Sequence, residues 1–480
     1  MALAAALSLA ASPARAQLGT PRGAQAPDSA APRAAVLSLG DAIREADQRA
    51  FGNRIATATA SGDRARARLS LKGILPSARV EAGVIRTTDP IGAFGTTLRQ
   101  RLVTPAAFEP AKLNYPSAVT NAQGGLVLEV PLLNGDAWLG LRAARAAADA
   151  SSAASDWSAV SIRTDVVRAY YGAILADAKT TVLAEAQRAA DAGVRQVRSM
   201  VAQGLVTKAD ALQASVRASE VSAQLLSARS DAVSARQQLA LLMGRTTADL
   251  PTLPTALPDE STVVALASRD REAADAMMGT ATATGATESV RDDVRAARAG
   301  VQAASADRRR ATSTLLPRVN GFARYDWNDP RTLYAGTKNW TVGVMASWSL
   351  FGGNAELADM AATRARADAA RAGLDAVQAQ SRLERDDAAR RLTVSLERLT
   401  LASQSADQSR EAYRLVQKRY DGGLATIAEL LAAEASATGA SLAHAAARYA
   451  VIDALATWRR ASGGDPAALT ALESSTTTAR

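Results

Sequence analysis

Arg419-Tyr420-Asp421-Gly422-Gly423-Leu424-Ala425-Thr426, leading to Glu429-Leu430-Leu431, is the stretch on which the fold turns. Its counterpart is Gln203-Gly204-Leu205-Val206-Thr207, leading to Asp210-Ala211-Leu212. Gly204 and Gly423 lie 219 residues apart, and the same interval joins Leu205 to Leu424, Asp210 to Glu429, Leu212 to Leu431 and Gly244 to Gly463. A constant interval across several landmarks is the mark of an internal duplication. In each stretch a glycine, free to take the left-handed conformation that ends a helix, is followed within three residues by a threonine able to cap the next. The pattern predicts two helical hairpins, one tipped by Gly204, Leu205 and Thr207, the other by Gly423, Leu424 and Thr426.

No proline occurs between Pro131 and Pro251, or between Pro330 and Pro466, and both stretches are dominated by Ala, Arg, Leu, Gln and Glu. A first helix from Asp136 to Gln203 would measure roughly 100 Å at 1.5 Å per residue. Such a rod belongs to a bundle, tube or coiled coil. Aromatics are only 4% of the 480 residues although hydrophobic residues reach 48%, much of it alanine. This suits helices in close contact rather than a thick core.

Further upstream, Pro131-Leu132-Leu133-Asn134-Gly135 resembles Ser349-Leu350-Phe351-Gly352-Gly353 at an interval of 218, and Leu75-Pro76 resembles Leu316-Pro317 at 241. The difference of 23 residues places an enlarged loop within Thr87 to Ala122, rich in Pro, Gly, Thr and Asn. Partial alternation predicts strands at Ser77 to Arg86, Gly124 to Pro131, Arg318 to Trp327 and Trp340 to Leu350. In the last, Val342, Val344, Ala346, Trp348 and Leu350 share one face. Strands of this length can cross a bilayer when tilted. Tyr325, Trp327, Trp340 and Trp348 are expected to form an interfacial aromatic girdle. Four strands cannot close a transmembrane barrel, and an open sheet edge in lipid would leave backbone groups unpaired. If these strands span a membrane, several chains share one barrel. The fold class is therefore α+β and mainly α.

Residues Ala2 to Ala11 form an apolar run ahead of Ala14-Arg15-Ala16, the pattern of a signal peptide cleaved before Gln17. The domain reading is a signal peptide at 1–16, a linker at 17–36, a first repeat at 37–244, a connection at 245–286, a second repeat at 287–463 and a disordered tail at 464–480. Leu37 to about Lys72 and about Val290 to Ser313 read as helices, and Ala281 to Gly285 as loop. The net charge of +9 is spread along helices with Asp and Glu interspersed, without basic-aromatic clusters, so nucleic acid is not an expected partner. There is no Cys, and His444 is the only histidine, expected on a helix surface; no catalytic residues, metal site or cofactor are expected. A soluble exported coiled-coil or adapter-like protein is the alternative; it explains the rods but not the strands, the clustered aromatics and the repeat.

Together these features resemble the TolC-like outer-membrane efflux protein family. Leu37-Ser38-Leu39 through Asp41-Ala42-Ile43 to Asn53 looks like its opening helix, the two Leu-Pro pairs sit where its helices hand over to strands, and the two hairpin stretches carry the strongest match. The resemblance implies a homotrimer with a 12-stranded barrel in outer-membrane lipid, continued by a 12-helix periplasmic tunnel. A periplasmic adapter and an inner-membrane pump would complete a machine exporting small molecules or proteins. It implies adapter docking around the two tips and a tunnel mouth lined by Asp210 and Glu429, with Tyr420 bonding to Asp210. The chain departs from the family pattern at Ala425, where an Arg often stands, and at Ala432, where a second acidic ring can occur; Lys208 is the candidate replacement cation.

Overall fold

The computed structural model describes residues 36–245, 250–280 and 291–474. The proposed signal peptide, all of the linker but Val36, the Ala281 to Gly285 loop and residues 475–480 lie outside the described residues.

Four long helices form the rods: α5 (Gly135–Ala202), α6 (Lys208–Leu242), α9 (Ala355–Asp421) and α10 (Ile427–Ala461). α5 and α9 have 68 and 67 residues, so each is about 100 Å long; α6 and α10 have 35 each. α5 pairs with α6, α9 with α10, and α5 also touches α10, giving the order α6–α5–α10–α9. Nearer the strands, α2 (Phe51–Leu69) lies on α5, and α8 (Asp292–Ser313) lies between α5 and α9. Many helix contacts are built from alanine, including Ala146, Ala148, Ala153, Ala186, Ala190, Ala218, Ala228 and Ala232, all buried. Small side chains let rods of this length lie side by side.

The largest core among the described residues sits at mid-height. Val166, Val167, Tyr170, Tyr171 and Ile174 of α5 meet Leu392, Leu396 and Leu399 of α9 and Val451, Ile452, Leu455 and Trp458 of α10. Two segments complete it against expectation. The connection 245–286 contains a full helix, α7 (Glu260–Thr280), which buries Val263, Ala267 and Ala274 in this core. Residues 464–474 of the expected disordered tail are folded: a 3-10 turn at Pro466–Thr470 and a short helical turn bury Leu469 and Leu472 completely. Glu473 there accepts from the Tyr170 hydroxyl (2.6 Å) and the Leu39 amide (2.7 Å). Two leucines and a carboxylate with buried donors outweigh the polar composition around them.

The opening helix is two helices, α1 (Leu39–Arg49) and α2, separated by an extended Ala50 with ψ 131°. The break accommodates the end of α6: a Cβ on Gly244 would lie 2.6 Å from the Arg49 carbonyl oxygen.

The strands β1 (Ser77–Thr87), β2 (Val119–Leu133), β3 (Arg318–Asp329) and β4 (Thr337–Ser347) make one antiparallel sheet in the order β1-β2-β3-β4. β2 is longer than predicted and slips register at Pro131, which has no N–H to donate. β4 ends at Ser347 because its partner begins at Arg318, directly after Pro317. Trp348 and Leu350, predicted in the strand, therefore lie beyond it, and the Trp348 indole donates to the Leu315 carbonyl at 3.0 Å. The enlarged loop carries α3 (Pro90–Arg99) and α4 (Pro110–Asn114).

Candidate functional site

Register assigns every strand residue to one of two faces, because directly paired residues point the same way and the side-chain period is two. One face carries Ala78, Val80, Ala82 and Val84 of β1; Ala122, Leu126, Leu128 and Val130 of β2; Val319, Ala323, Tyr325 and Trp327 of β3; and Trp340, Val342, Val344 and Ala346 of β4. Trp340 is 73% exposed and Val344 67%. The opposite face carries Arg79, Glu81, Asn121, Gln123, Glu129, Asn320, Arg324, Asp326, Asn328, Asn339 and Thr341, with Ile85, Val119, Val127, Phe322 and Met345 as apolar exceptions. Its charges are paired: Arg79 with Glu81 (3.0 Å) and Glu129 (3.4 Å), Arg324 with Asp326 (2.8 Å) and Glu81 (3.6 Å). An exposed apolar sheet face backed by a polar, ion-paired one is the division a barrel wall needs between lipid and an aqueous lumen.

Tyr325 packs edge-on against Trp327 (4.9 Å between ring centres), and Trp327 against Tyr334 (5.9 Å). Tyr325 is directly opposite Trp340. These rings gather at the loop end of the sheet, while Trp348 stands at the helical end. Trp340 lies within β4, and Trp348 lies one residue beyond its end.

The enlarged loop is tied to the polar face. Gln100, Asn121 and Asn328 are all buried; the Gln100 amide donates to Asn121 Oδ1 (2.9 Å), and the Asn121 amide to Asn328 Oδ1 (2.8 Å). The Thr337 hydroxyl donates to the Arg99 carbonyl. This amide chain is not legible in the sequence, since its members lie 21 and 207 residues apart.

At the far end of the rods, Gly204 (φ 71°) and Gly423 (φ 72°) close α5 and α9 in the same way. Leu205 N donates to Met200 O (2.9 Å) and Gly204 N to Val201 O (3.0 Å); Leu424 N donates to Arg419 O (2.7 Å) and Gly423 N to Tyr420 O (3.0 Å). Both are Schellman ends. Gly244 and Gly463 end α6 and α10 with the same bonds and positive φ. Thr207 and Thr426 cap the returning helices, accepting from the amides of Asp210 (3.3 Å) and Glu429 (3.2 Å). The tips are packed together by Val197, Ala214, Tyr420 and Ile427, one residue from each rod. Leu205 and Leu424, 65% and 74% exposed, project from the two turns.

Asp210 and Glu429 differ despite their matching positions. The Asp210 carboxylate accepts from the Thr207 amide and hydroxyl, both at 2.8 Å, and these bonds hold its pKa below the usual carboxylate value. Glu429 is exposed and makes no reciprocal bond to its cap. The Tyr420 hydroxyl is directed at Met200 Sδ (3.8 Å), not at Asp210 as the resemblance implied; burial and the nearby Asp210 charge raise its pKa. Lys208, the first residue of α6, is exposed and forms no ion pair among the described residues. Deeper between the rods, Glu434 is half-buried, and one of its carboxylate oxygens is buried without a hydrogen-bond partner. His444 is not free on a surface: Nε2 lies 2.7 Å from Glu260 Oε2, joining α10 to the start of α7.

The flanks of the four-rod array carry exposed apolar residues at heptad-compatible intervals: Ile55 and Leu69 on α2, Leu226 and Val233 on α6, and Val394, Leu401 and Leu415 on α9. Such spacing is that of a coiled-coil seam. Among the described residues no helix is long and apolar enough to cross a membrane, and no group of three or more His, Cys, Asp or Glu could hold a metal ion.

A sheet with a lipid-type face, continued by rods of about 100 Å, narrows the comparison with known proteins to one architecture. The family model described as outer membrane efflux protein matches residues 94–245 and 286–464. The chain belongs to the outer membrane efflux protein family. Its members are channels rather than enzymes, and its place is the bacterial outer membrane, with the helical portion on the periplasmic side. Among solved structures, the CmeC outer membrane channel of Campylobacter jejuni is 16% identical over 89% of this chain and 86% of its own, with a TM-score of 0.72. VceC, an outer membrane protein of Vibrio cholerae, is 20% identical over 89% and 96%, with a TM-score of 0.71. The MtrE outer membrane channel of Neisseria gonorrhoeae, in its open state, is 19% identical over 89% of each chain, with a TM-score of 0.69. At these identities the likeness is one of fold. No curated protein matched.

Proposed function

We propose that three copies of this efflux-family chain close one 12-stranded barrel in the outer membrane, continued by a 12-helix periplasmic tunnel. The observation that carries this reading is the apolar face of a sheet whose two outer strands, β1 and β4, each have one unpaired edge. In lipid those edges need partners, and closure through neighbouring copies supplies them. The flanks favour the same closure. β1, α2 and α6 lie on one side of the chain and β4 and α9 on the other, so each copy sets Leu226 and Val233 beside the Val394, Leu401 and Leu415 stripe of the next.

The two halves, 37–244 and 287–463, constitute an internal two-fold structural repeat joined by 245–286. The rod lengths, 68 against 67 residues and 35 against 35, and four matching Schellman ends support it. In this reading the two tips are the periplasmic end, where exposed Leu205 and Leu424 offer apolar contacts to a periplasmic adapter, and an inner-membrane pump delivers the cargo. Asp210 and Glu429, three copies of each, ring the tunnel mouth and favour cations. With Ala425 in place of an arginine and Tyr420 turned toward Met200, packing at Val197, Ala214, Tyr420 and Ile427 holds the tips together. The exported cargo is a small molecule or a protein selected by the pump.

Single-channel recording in planar bilayers tests the reading. The purified chain should open cation-preferring pores; a preparation inserted in the bilayer that conducts nothing even after tip-loosening substitutions at Tyr420 and Ile427 would overturn it.

A further inference from the structure

Of the nine charged residues in the four strands, six lie on the polar face and three, Arg86, Asp329 and Lys338, on the apolar face. Two of these three are basic. Arg86 pairs with Thr120 and Lys338 with Trp327, which places both on the apolar face. Both are exposed, and neither forms an ion pair among the described residues. Each lies one residue in from the loop end of its strand, β1 ending at Thr87 and β4 beginning at Thr337. Each occupies an edge strand, at opposite ends of the sheet order. Asp329 shares this face and rim, but its carboxylate is taken up by the amides of Arg331 and Thr332, both at 2.8 Å.

Under the shared-barrel reading, on which this inference rests, β1 of one copy lies antiparallel to β4 of the next. The loop ends of these two strands then coincide, and Arg86 meets Lys338 of the neighbouring copy across the seam. We propose that this pair, repeated at three seams, binds the phosphate of an outer-leaflet lipid headgroup. The guanidinium offers a planar pair of donors and the ammonium a compact charge, a combination suited to a phosphomonoester. The depth fits a headgroup: Lys338 stands opposite Trp327 and two residues from Trp340, at the level of the aromatic rings that mark the membrane boundary. A free anion would have no reason to prefer an apolar face, whereas a lipid brings its acyl chains to Val84, Val342 and Val344 on that same face.

The test uses the full-length complex in detergent, with the Arg86→Gln, Lys338→Gln double variant beside it. Native mass spectrometry gives the oligomeric state and retained lipid during titration with a bisphosphorylated glucosamine lipid, its dephosphorylated counterpart, or inorganic phosphate. Wild-type trimers should retain the phosphorylated lipid in preference to the other two, and variant trimers should bind it at least roughly tenfold more weakly. A variant trimer that retains the phosphorylated lipid as well as wild type overturns the site, as does equal retention of the dephosphorylated lipid. Competition by inorganic phosphate at equal concentration overturns the assignment to a lipid. A wild-type chain that is not a trimer overturns the shared barrel itself, and the seam site with it.

Discussion

Thr207 and Asp210 satisfy one another: the threonine hydroxyl accepts from the Asp210 amide at 3.3 Å, while the Asp210 carboxylate accepts from the Thr207 amide and hydroxyl at 2.8 Å. This reciprocal cap fixes the start of α6 at the tip and commits the carboxylate to a structural bond. Thr207→Ala should therefore loosen the first turn of α6 by about 1 kcal/mol, read as faster amide exchange at residues 208–211. The sign of the pH effect follows from the depressed Asp210 pKa. The stabilisation is fully present above the ordinary aspartate value of 3.8 and is lost as pH falls through the lower folded value. Asp210→Asn should remove that acid-side loss in the same exchange measurement.

Glu429 occupies the matching position without such a bond and is the freer charge at the tips. Replacing both Asp210 and Glu429 with Ala should reduce cation preference in single-channel reversal potentials, with Glu429→Ala alone giving the larger share. Unchanged selectivity in the double variant would remove both from the filter.

Gly204 and Gly244 have the same left-handed φ, 71° and 70°, in different surroundings. A Cβ at Gly204 meets nothing within 4 Å, whereas at Gly244 it would lie 2.6 Å from the Arg49 carbonyl oxygen. Gly204→Ala should cost about 1–2 kcal/mol, the conformational strain alone. Gly244→Ala should cost about 2–4 kcal/mol, because backbone must also move. Thermal melts of the two variants side by side separate strain from collision.

Burial raises the Glu434 pKa, and Arg217 only partly opposes the shift. A carboxyl that resists ionisation in the folded chain costs stability as pH rises from its ordinary value of 4.5 through the raised one. Glu434→Gln should therefore match wild type near pH 4 and be more stable at pH 7. The gain is of the order of 1 kcal/mol, limited by the site's partial exposure. A gain of equal size at both pH values would assign the effect to packing instead.

Val342 and Met345 lie three residues apart on opposite faces of β4. Val342→Arg should destabilise the bilayer-inserted chain by about 2–4 kcal/mol, the cost of an arginine at mid-membrane. Met345→Arg should stay within about 0.5 kcal/mol. Urea unfolding from lipid vesicles reads both, and equal costs would mean that the two faces meet the same environment.

How far the sequence could be read depended on the range of the interactions. The hairpin turns were legible because a left-handed glycine and a capping threonine act within a few residues, and Gly204, Thr207, Gly423 and Thr426 carry those roles locally. The long rods were legible to within a residue or two at α5 because proline and glycine punctuate them. The limit of β4 was not, because apolar alternation continues through Trp348 and Leu350 while the strand stops where β3 ceases to offer a partner. α7 and the folded stretch at 464–474 escaped notice for a related reason. Each is held by a few side chains, Val263 and Ala267 or Leu469 and Leu472, that find their partners in the mid-height core. Tyr420 shows the same limit at the tips: its neighbour there is Met200, 220 residues away.

The shared barrel is tested most directly by the mass of the complex extracted in detergent from outer membranes. The account predicts a particle of three chains that remains with the outer-membrane fraction. A soluble monomer, or a membrane particle of any other chain number, would contradict it.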